Sequence, residues 1–219
     1  MNTLPIIEKA NVYRWLYEHR SSDTTLNSKD KDKIRKHFAS KVSQEGSYLG
    51  FWGKDGLDYY QVKKAAPNAR IKMLDDARGF KNKIQLQETQ ILIPELTIEK
   101  LEKFAKKGKE TFEVFWNDLC GPMGEYVEKQ CQLIPRILQG KGYFGITVME
   151  TRDPYFPKWM TREERRTRTI KVLKDELAQK GVIWTPDYSI HYNSLPMDEH
   201  RKTMRTCPMW TIGGGYVKI

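Results

Sequence analysis

The sequence predicts an α+β fold that is predominantly helical, with a small and mostly antiparallel sheet. Apolar residues recur at helical spacing through most of the longer segments, and the segments rich in β-favouring residues are short and few. No internal repeat or low-complexity tract divides the chain. We therefore expect a single compact domain spanning residues 1–219. A subdomain boundary near residue 94 stays open, with a basic and aromatic part (1–94) before a helical part with closing strands (95–219).

The first third of the chain is predicted to form two helices and a hairpin. Residues 5–20 begin with a proline suited to a first helical turn. Residues 27–42 open with capping residues and place an apolar seam of Ile34, Phe38 and Val42 on one side. Residues 47–64 carry the turn-forming sequence Gly-Lys-Asp-Gly between two aromatic-rich runs, which predicts a β-hairpin.

The middle of the chain is predicted to form a strand followed by helices. The strand covers residues 83–93 and ends at Pro94. Residues 97–121 have a helical pattern with a break at Gly108, and the helix that starts at Pro122 is expected to end before Pro135.

The C-terminal part is predicted to contain one long helix between strands. Residues 142–150 favour a strand. The helix over 161–181 opens with a capping pattern, in which Glu164 follows Thr161 by three residues, and closes on a glycine. Residues 181–193 and 208–219 are predicted to be closing strands.

Positive charge is the unusual feature of the composition. The chain has 38 Lys and Arg residues against 28 Asp and Glu residues, a net charge of +10 that lies mainly before residue 110. Such an excess is typical of a protein that binds a polyanion, although charge also serves solubility alone.

Several classes of protein are disfavoured. No apolar run reaches the ~18 residues of a membrane span, and the N-terminus lacks the layout of a signal peptide, so no membrane partner and an intracellular location are expected, cytoplasmic or nuclear/nucleoid. The three cysteines form no Cys-x-x-Cys pair, and the four histidines have no metal-ligand spacing. We predict no metal site and no cofactor, and the sequence leaves the catalytic residues unknown.

A short segment resembles a known RNA-binding pattern. Residues 141–148, KGYFGITV, are similar to the octapeptide on a central strand of RNA-recognition motifs. Lys141, Gly142, Tyr143 and Ile146 match it, whereas the fourth and fifth positions are exchanged and the eighth is not aromatic. The resemblance implies a strand that presents rings to RNA, but the default prediction for Tyr143 is a place in the core.

The leading functional hypothesis is a non-enzymatic protein that binds RNA or single-stranded DNA. Aromatic rings stack on bases while Lys and Arg follow the backbone, and both residue types concentrate in residues 48–83. The alternatives are a metal-dependent nuclease, built from scattered acidic residues, and a protein–protein assembly module, including a homo-oligomer. The proposed binding residues are Trp52, Tyr59, Tyr48, Lys54, Lys63, Lys64, Arg70, Lys72, Arg78, Lys81, Lys83, Lys33, Lys36 and Arg165.

Overall fold

The computed structural model describes residues 28–51, 57–74, 98–108, 110–121, 123–150, 156–157, 159–194 and 207–219. The helices in these ranges are α1 (Ser28–Ala39), α2 (Leu57–Ala65), α3 (Ile98–Lys107), α4 (Gly124–Ile137) and α5 (Arg162–Ala178). The strands are β1 (Ser47–Phe51), β2 (Arg70–Leu74), β3 (Phe112–Gly121), β4 (Leu138–Met149), β5 (Val182–Ser194) and β6 (Cys207–Lys218).

The strands form one mixed sheet in the order β2-β1-β3-β4-β6-β5. β1 pairs in parallel with β2 and β3, and β3 pairs in parallel with β4. β6 lies antiparallel between β4 and β5. The fold is therefore α/β, and the prediction of a predominantly helical fold with a small antiparallel sheet is wrong. Parallel strands are buried on both faces, so their sequences lack the clean alternation that reveals an antiparallel strand.

Helices cover both faces of the sheet. α1 and α2 pack on one face through a cluster that includes Ile34, Phe38 and Val62. α3, α4 and α5 contribute to a second cluster with the other face. The close approach of α1 depends on Gly145 of β4, because a Cβ at that position would lie 2.1 Å from Cζ of Phe38. This arrangement of helices on both faces of the sheet positions the charged and polar side chains described below.

The predicted hairpin over residues 47–64 is wrong. Residues 47–51 form β1, which is paired along both edges, and residues 57–65 form α2. Tyr59 and Val62 are buried three positions apart on α2, which is helical spacing. The local aromatic content favoured a strand, but burial of one helical face decides the structure of this segment.

The predicted helix over residues 97–121 is correct only in its first half. α3 ends at Lys107, and Gly108 adopts a φ of +57°, as expected for a break. The following residues form β3, whose alternating Val114 and Trp116 face α1 while Phe115 belongs to the opposite cluster. Aromatic residues on both faces of a buried strand resemble an apolar helix when they are read in sequence.

The other elements predicted within the described ranges agree with the structure more closely than these two. The helix over 28–39, the strand of β4 and both closing strands are confirmed, and Ile34, Phe38 and Val42 are all buried. α5 begins at the predicted capping box, in which Glu164 N donates to Thr161 Oγ1. α4 continues to Ile137, past the predicted end, because Pro135 falls in its last turn and removes only one helical donor.

The predicted helix over 5–20, the strand over 83–93 and the boundary near residue 94 lie outside the described residues. Strands from before and after that boundary join the same sheet. The single-domain organisation stays a prediction. None of the helices in the described ranges is long and apolar enough to cross a membrane.

Candidate active site

The topology marks one edge of the sheet as the place for a ligand. β1, β2, β3 and β4 run in the same direction, so their carboxyl ends meet at one edge. From β1 the chain continues outward to β2, whereas β3 starts on the other side of β1 and continues to β4. In open α/β sheets, ligands bind at such a switch point, in the crevice beyond the carboxyl ends of the strands. The crevice here lies between β1 and β3.

Two part-buried ion pairs lie on the α1 face, where β1, β3 and the first turn of α2 come together. Lys31 of α1 contacts Asp118 of β3, and Arg35 Nε lies 2.5 Å from Oδ1 of Asp58 in α2. Arg35 also pairs with Asp32 at 3.0 Å. We call Lys31, Arg35, Asp58 and Asp118 the charge cluster. Burial raises the pKa of Asp58, and the neighbouring Arg35 offsets part of that effect.

Aromatic rings surround the charge cluster. Lys31 Nζ lies 5.2 Å from the Trp116 ring centroid and 5.4 Å from that of Tyr192. Tyr48 of β1 is 1% exposed, and burial raises the pKa of its hydroxyl well above the usual value. A Cβ on Gly50 would lie 2.5 Å from the Tyr48 ring, so glycine is what leaves room for that ring. The charge cluster thus places two carboxylates, each paired with a cation of α1, beside buried aromatic rings.

The opposite face of β3 carries a buried amide pair. Asn117 Nδ2 donates to Gln130 Oε1 of α4, and both side chains are fully buried. Within the described residues, Asn117 Oδ1 and Gln130 Nε2 have no hydrogen-bond partner. Buried polar atoms usually have hydrogen-bond partners. With Asp118 on the α1 face of β3 and this amide pair on the other face, the carboxyl half of β3 is polar on both faces.

Glu150 follows the last residue of β4 and meets a histidine at the same edge. Its Oε2 lies 2.7 Å from Nε2 of His191 in β5. Arg165 of α5 lies 3.5 Å from the other carboxylate oxygen. The ring of Trp210 in β6 makes an edge contact with the His191 ring. We call Glu150 and His191 the edge pair.

A further hydrogen-bonded group lies on the α1 face, away from the strand ends. Tyr143 donates to Asp187, and His37 Nε2 lies 2.7 Å from the Tyr143 hydroxyl. The His37 ring stacks on Tyr188 at 3.7 Å. Burial and the nearby Lys41 lower the pKa of His37, whereas burial and the Asp187 hydrogen bond raise that of Tyr143. These contacts anchor α1 on the sheet.

The structure does not assemble the predicted nucleic-acid surface as expected. The rings of Tyr48 and Tyr59 are 1% and 9% exposed, so neither is a surface stacking platform. Tyr143 is 6% exposed, as predicted for a core residue, and its strand pairs with β3 and β6 in an α/β sheet. The RNA-recognition resemblance therefore does not extend to the fold.

The predicted basic residues are dispersed over several elements. Lys33 and Lys36 lie exposed on α1, and Lys64 lies exposed on the last turn of α2 beside half-buried Lys63. Half-buried Arg165 is on α5, which covers the opposite face of the sheet. Arg70 and buried Lys72 both pair with Glu110, at 3.1 and 2.9 Å. Trp52, Lys54, Arg78, Lys81 and Lys83 lie outside the described residues. Nucleic-acid binding by the remaining cations stays a prediction.

Sequence reasoning missed the groups that the fold brings to the crevice. Asp58, Asp118 and Glu150 are separated by more than thirty residues each, and only the parallel sheet brings their strand ends to one edge. One signal was present in the sequence, since Glu150 ends a predicted strand.

Among the described residues, no three His, Cys, Asp or Glu side chains are grouped to hold a metal ion.

Comparisons with known proteins identify the fold. No protein-family model matches the sequence, and no curated protein is similar to it. The structure is similar to an O-methyltransferase from Bacillus cereus in complex with SAH, with a TM-score of 0.54, 10% identity, and coverage of 98% of this chain and 94% of that one. This is the Rossmann-like methyltransferase fold.

Two further solved structures support that identification. A precorrin-6y C5,15-methyltransferase from Geobacter metallireducens has a TM-score of 0.50 at 13% identity, covering 89% of this chain and 92% of that one. The fibrillarin pre-rRNA processing protein of Methanococcus jannaschii also has a TM-score of 0.50, at 15% identity, covering 82% and 70%. At these identities, the likeness establishes the fold alone.

The fold matches overturn the functional expectation drawn from composition. A non-enzymatic nucleic-acid-binding protein, and the tendency away from an enzyme, are contradicted because the similar structures include methyltransferases. The physical reason for the error is that residues 48–64 are rich in rings that the fold buries. A net positive charge indicates a class of partner but does not separate a binder from an enzyme that acts on that partner.

Proposed function

We propose that this protein is a methyltransferase that uses S-adenosylmethionine. The observation that carries the proposal is the strand order, with its switch point between β1 and β3 and an antiparallel β6 inserted beside β4. The B. cereus O-methyltransferase, whose structure contains SAH, matches this arrangement over 98% of the chain. SAH is S-adenosylhomocysteine, the product that S-adenosylmethionine leaves after methyl transfer.

The residues at the crevice fit this cofactor. S-adenosylmethionine is cationic at its sulfur and its amino group, and the carboxylates of buried Asp58 and half-buried Asp118 lie at the crevice beside aromatic rings, each paired with a cation of α1. In the sequence, Gly53 and Gly56 lie between the end of β1 and the start of α2, where nucleotide-binding sheets of this kind carry glycines. Asp75 and Asp76 come directly after β2, about 20 residues further on, which is the usual spacing of a ribose-binding acid.

When bound, the cofactor supplies an electrophilic methyl group. The role we assign to Asp118 is to accept a hydrogen bond from the cationic part of the ligand, with Lys31 holding the carboxylate in position. Tyr48 and Trp116 exclude water from the floor of the crevice, which strengthens electrostatic interactions there.

Calorimetric titration with S-adenosylmethionine and S-adenosylhomocysteine tests the proposal. We expect both to bind, and ATP, which shares the adenosine but lacks the methionine, to bind at least about tenfold more weakly. Asp118→Asn should weaken binding of S-adenosylhomocysteine about tenfold, because a charge-assisted hydrogen bond is worth roughly 1.5–3 kcal/mol. The matched control is Asp175→Asn on the exposed side of α5, which should bind like the wild type. A folded wild-type protein that binds neither compound would overturn the proposal.

We propose that the methyl acceptor belongs to, or is carried by, a polyanion such as a nucleic acid. The net charge of +10 supports this partner. Affinity for RNA or DNA should then fall steeply with salt because bound counterions are released. A salt-independent affinity measured by fluorescence anisotropy would contradict this assignment of the acceptor while leaving the cofactor proposal intact.

A further inference from the structure

The edge pair provides a proton-accepting group near the crevice. Glu150 is 6% exposed, yet it lies at the rim of the sheet, directly after β4. Its carboxylate binds His191 and is also approached by Arg165 at 3.5 Å and by Arg162 at 3.9 Å. Two guanidinium groups and one imidazole thus surround one buried carboxylate.

The contact with Glu150 fixes which ring nitrogen of His191 carries hydrogen. An ionised carboxylate only accepts hydrogen bonds, so Nε2 must be the donor across the 2.7 Å contact. In the neutral ring, Nδ1 is then the unprotonated nitrogen. Nδ1 has no hydrogen-bond partner in the part of the chain that the structure describes, and the His191 side chain is 17% exposed. This is the arrangement of a general base oriented by a carboxylate.

Within the described part of the chain, the groups next to the His191 ring that have no hydrogen-bond partner are donors, not acceptors. Trp210 is 7% exposed, and its Nε1 has no hydrogen-bond partner among the described residues. The same holds for Nε of Arg165. The titratable and charged groups that face His191 from the described elements are Glu150 beyond β4 and Arg162 and Arg165 of α5.

The edge pair lies at the same edge of the sheet as the crevice, on the face that α5 covers. Glu150 follows β4, which is hydrogen-bonded to β3, and adjacent strands lie about 4.8 Å apart. The carboxyl end of β3 forms one side of the switch point. His191 itself lies on β5, beyond β6 in the sheet order, so an acceptor that contacts both the crevice and the His191 ring must cross the carboxyl end of β4 beside Glu150.

We propose that His191 is the catalytic base that deprotonates a hydroxyl-bearing methyl acceptor, and that Glu150 is its positioning residue. This inference rests on the proposed methyltransferase function and names its acceptor chemistry. As the acceptor oxygen forms its bond to the methyl carbon, the carbon–sulfur bond of the donor breaks and its electron pair stays on sulfur. The hydroxyl proton moves to Nδ1 of His191, while the proton on Nε2 remains hydrogen-bonded to Glu150.

Nitrogen NMR of the full-length protein labelled with ¹⁵N-histidine tests this assignment. The chain has four histidines, so the resonances of His191 are those lost in His191→Gln. We expect the neutral ring to carry its proton on Nε2 and Glu150→Ala to abolish that preference. Glu163→Gln is the matched control, because Glu163 is an exposed carboxylate on the same helix as Arg165 and pairs with Arg166. It should leave the His191 resonances unchanged.

Phenol and benzene then probe the acceptor site, with and without saturating S-adenosylhomocysteine. Phenol should shift the Nδ1 resonance of His191, whereas benzene, which lacks the hydroxyl, should not, and His37 should respond to neither. A neutral ring protonated at Nδ1, or equal responses to phenol and benzene, would overturn the assignment. Failure of the cofactor proposal is separate, since it appears as absent S-adenosylhomocysteine binding in calorimetry, while the tautomer and phenol measurements need no cofactor.

Discussion

Gly142 lies where β4 passes unusually close to the backbone of β3. A Cβ at this position would be 1.9 Å from the carbonyl oxygen of Glu113, and the register between the two strands shifts at this point. Gly145, three residues on, accommodates the Phe38 ring in the same way. The glycines and aromatic residues that make residues 141–148 similar to an RNA-binding octapeptide therefore serve packing within this fold.

The first prediction concerns this close approach. Gly142→Ala should lower the free energy of unfolding by about 1–3 kcal/mol, since the added methyl group meets backbone that cannot rotate away. Gly140→Ala is the matched control on the same strand, because a Cβ there meets nothing within 4 Å. Urea denaturation of both variants measures the difference. Equal stabilities of the two variants would show that β3 and β4 are further apart than described.

The charge cluster illustrates the physical limit of residue-level prediction. Asp58 and Asp118 are sixty residues apart in the sequence, yet both approach cations of α1. The residues that flank each of them in the sequence are like those that flank an ordinary surface acid. Only burial and the opposing cation distinguish them, and neither property is visible before the fold is known.

At the scale of elements, α1 is held to the sheet by apolar packing and by ion pairs to two other elements. Phe38 stacks on Trp116 of β3 at 5.4 Å, and His37 stacks on Tyr188 of β5. Arg35 connects the same helix to α2. The seam of α1 was predicted from its apolar spacing, but its partners were not, because amphipathicity shows which face is buried and not what covers it.

The second prediction concerns the contact between α1 and α2. Asp58→Asn should destabilise the protein by roughly 3 kcal/mol, because it removes one partner of a buried ion pair and leaves Arg35 undercompensated. Asp30→Asn on the exposed side of α1, where Asp30 pairs with Lys33, should cost less than about 1 kcal/mol. Thermal unfolding followed by circular dichroism provides the comparison. A cost for Asp58→Asn no larger than for Asp30→Asn would mean that the pair is solvated in solution.

At the scale of the whole molecule, local signals predicted elements better than their arrangement. The capping box of α5, the break at Gly108 and the two closing strands were found from sequence because each depends on residues close together in the chain. The parallel pairing of β1 with β3 joins segments more than sixty residues apart, and no periodicity encodes it. The crevice depends on that pairing, so the candidate site escaped prediction together with the topology.

The third prediction concerns the rigidity of this arrangement. β6 is hydrogen-bonded along both edges, to β4 and to β5, and its segment around Gly213 is buried. Its amides should therefore exchange with solvent only through global unfolding, whereas the last turn of α5, where Asp175 and Ala178 are exposed, should fray locally. We expect the amides of residues 211–214 to exchange at least about a hundredfold more slowly than those of residues 175–178. Hydrogen exchange followed by mass spectrometry measures both segments in one experiment. Similar rates would place β6 at a mobile edge, and the platform that holds His191 and Trp210 beside the crevice would then lack the rigidity that a positioned base requires.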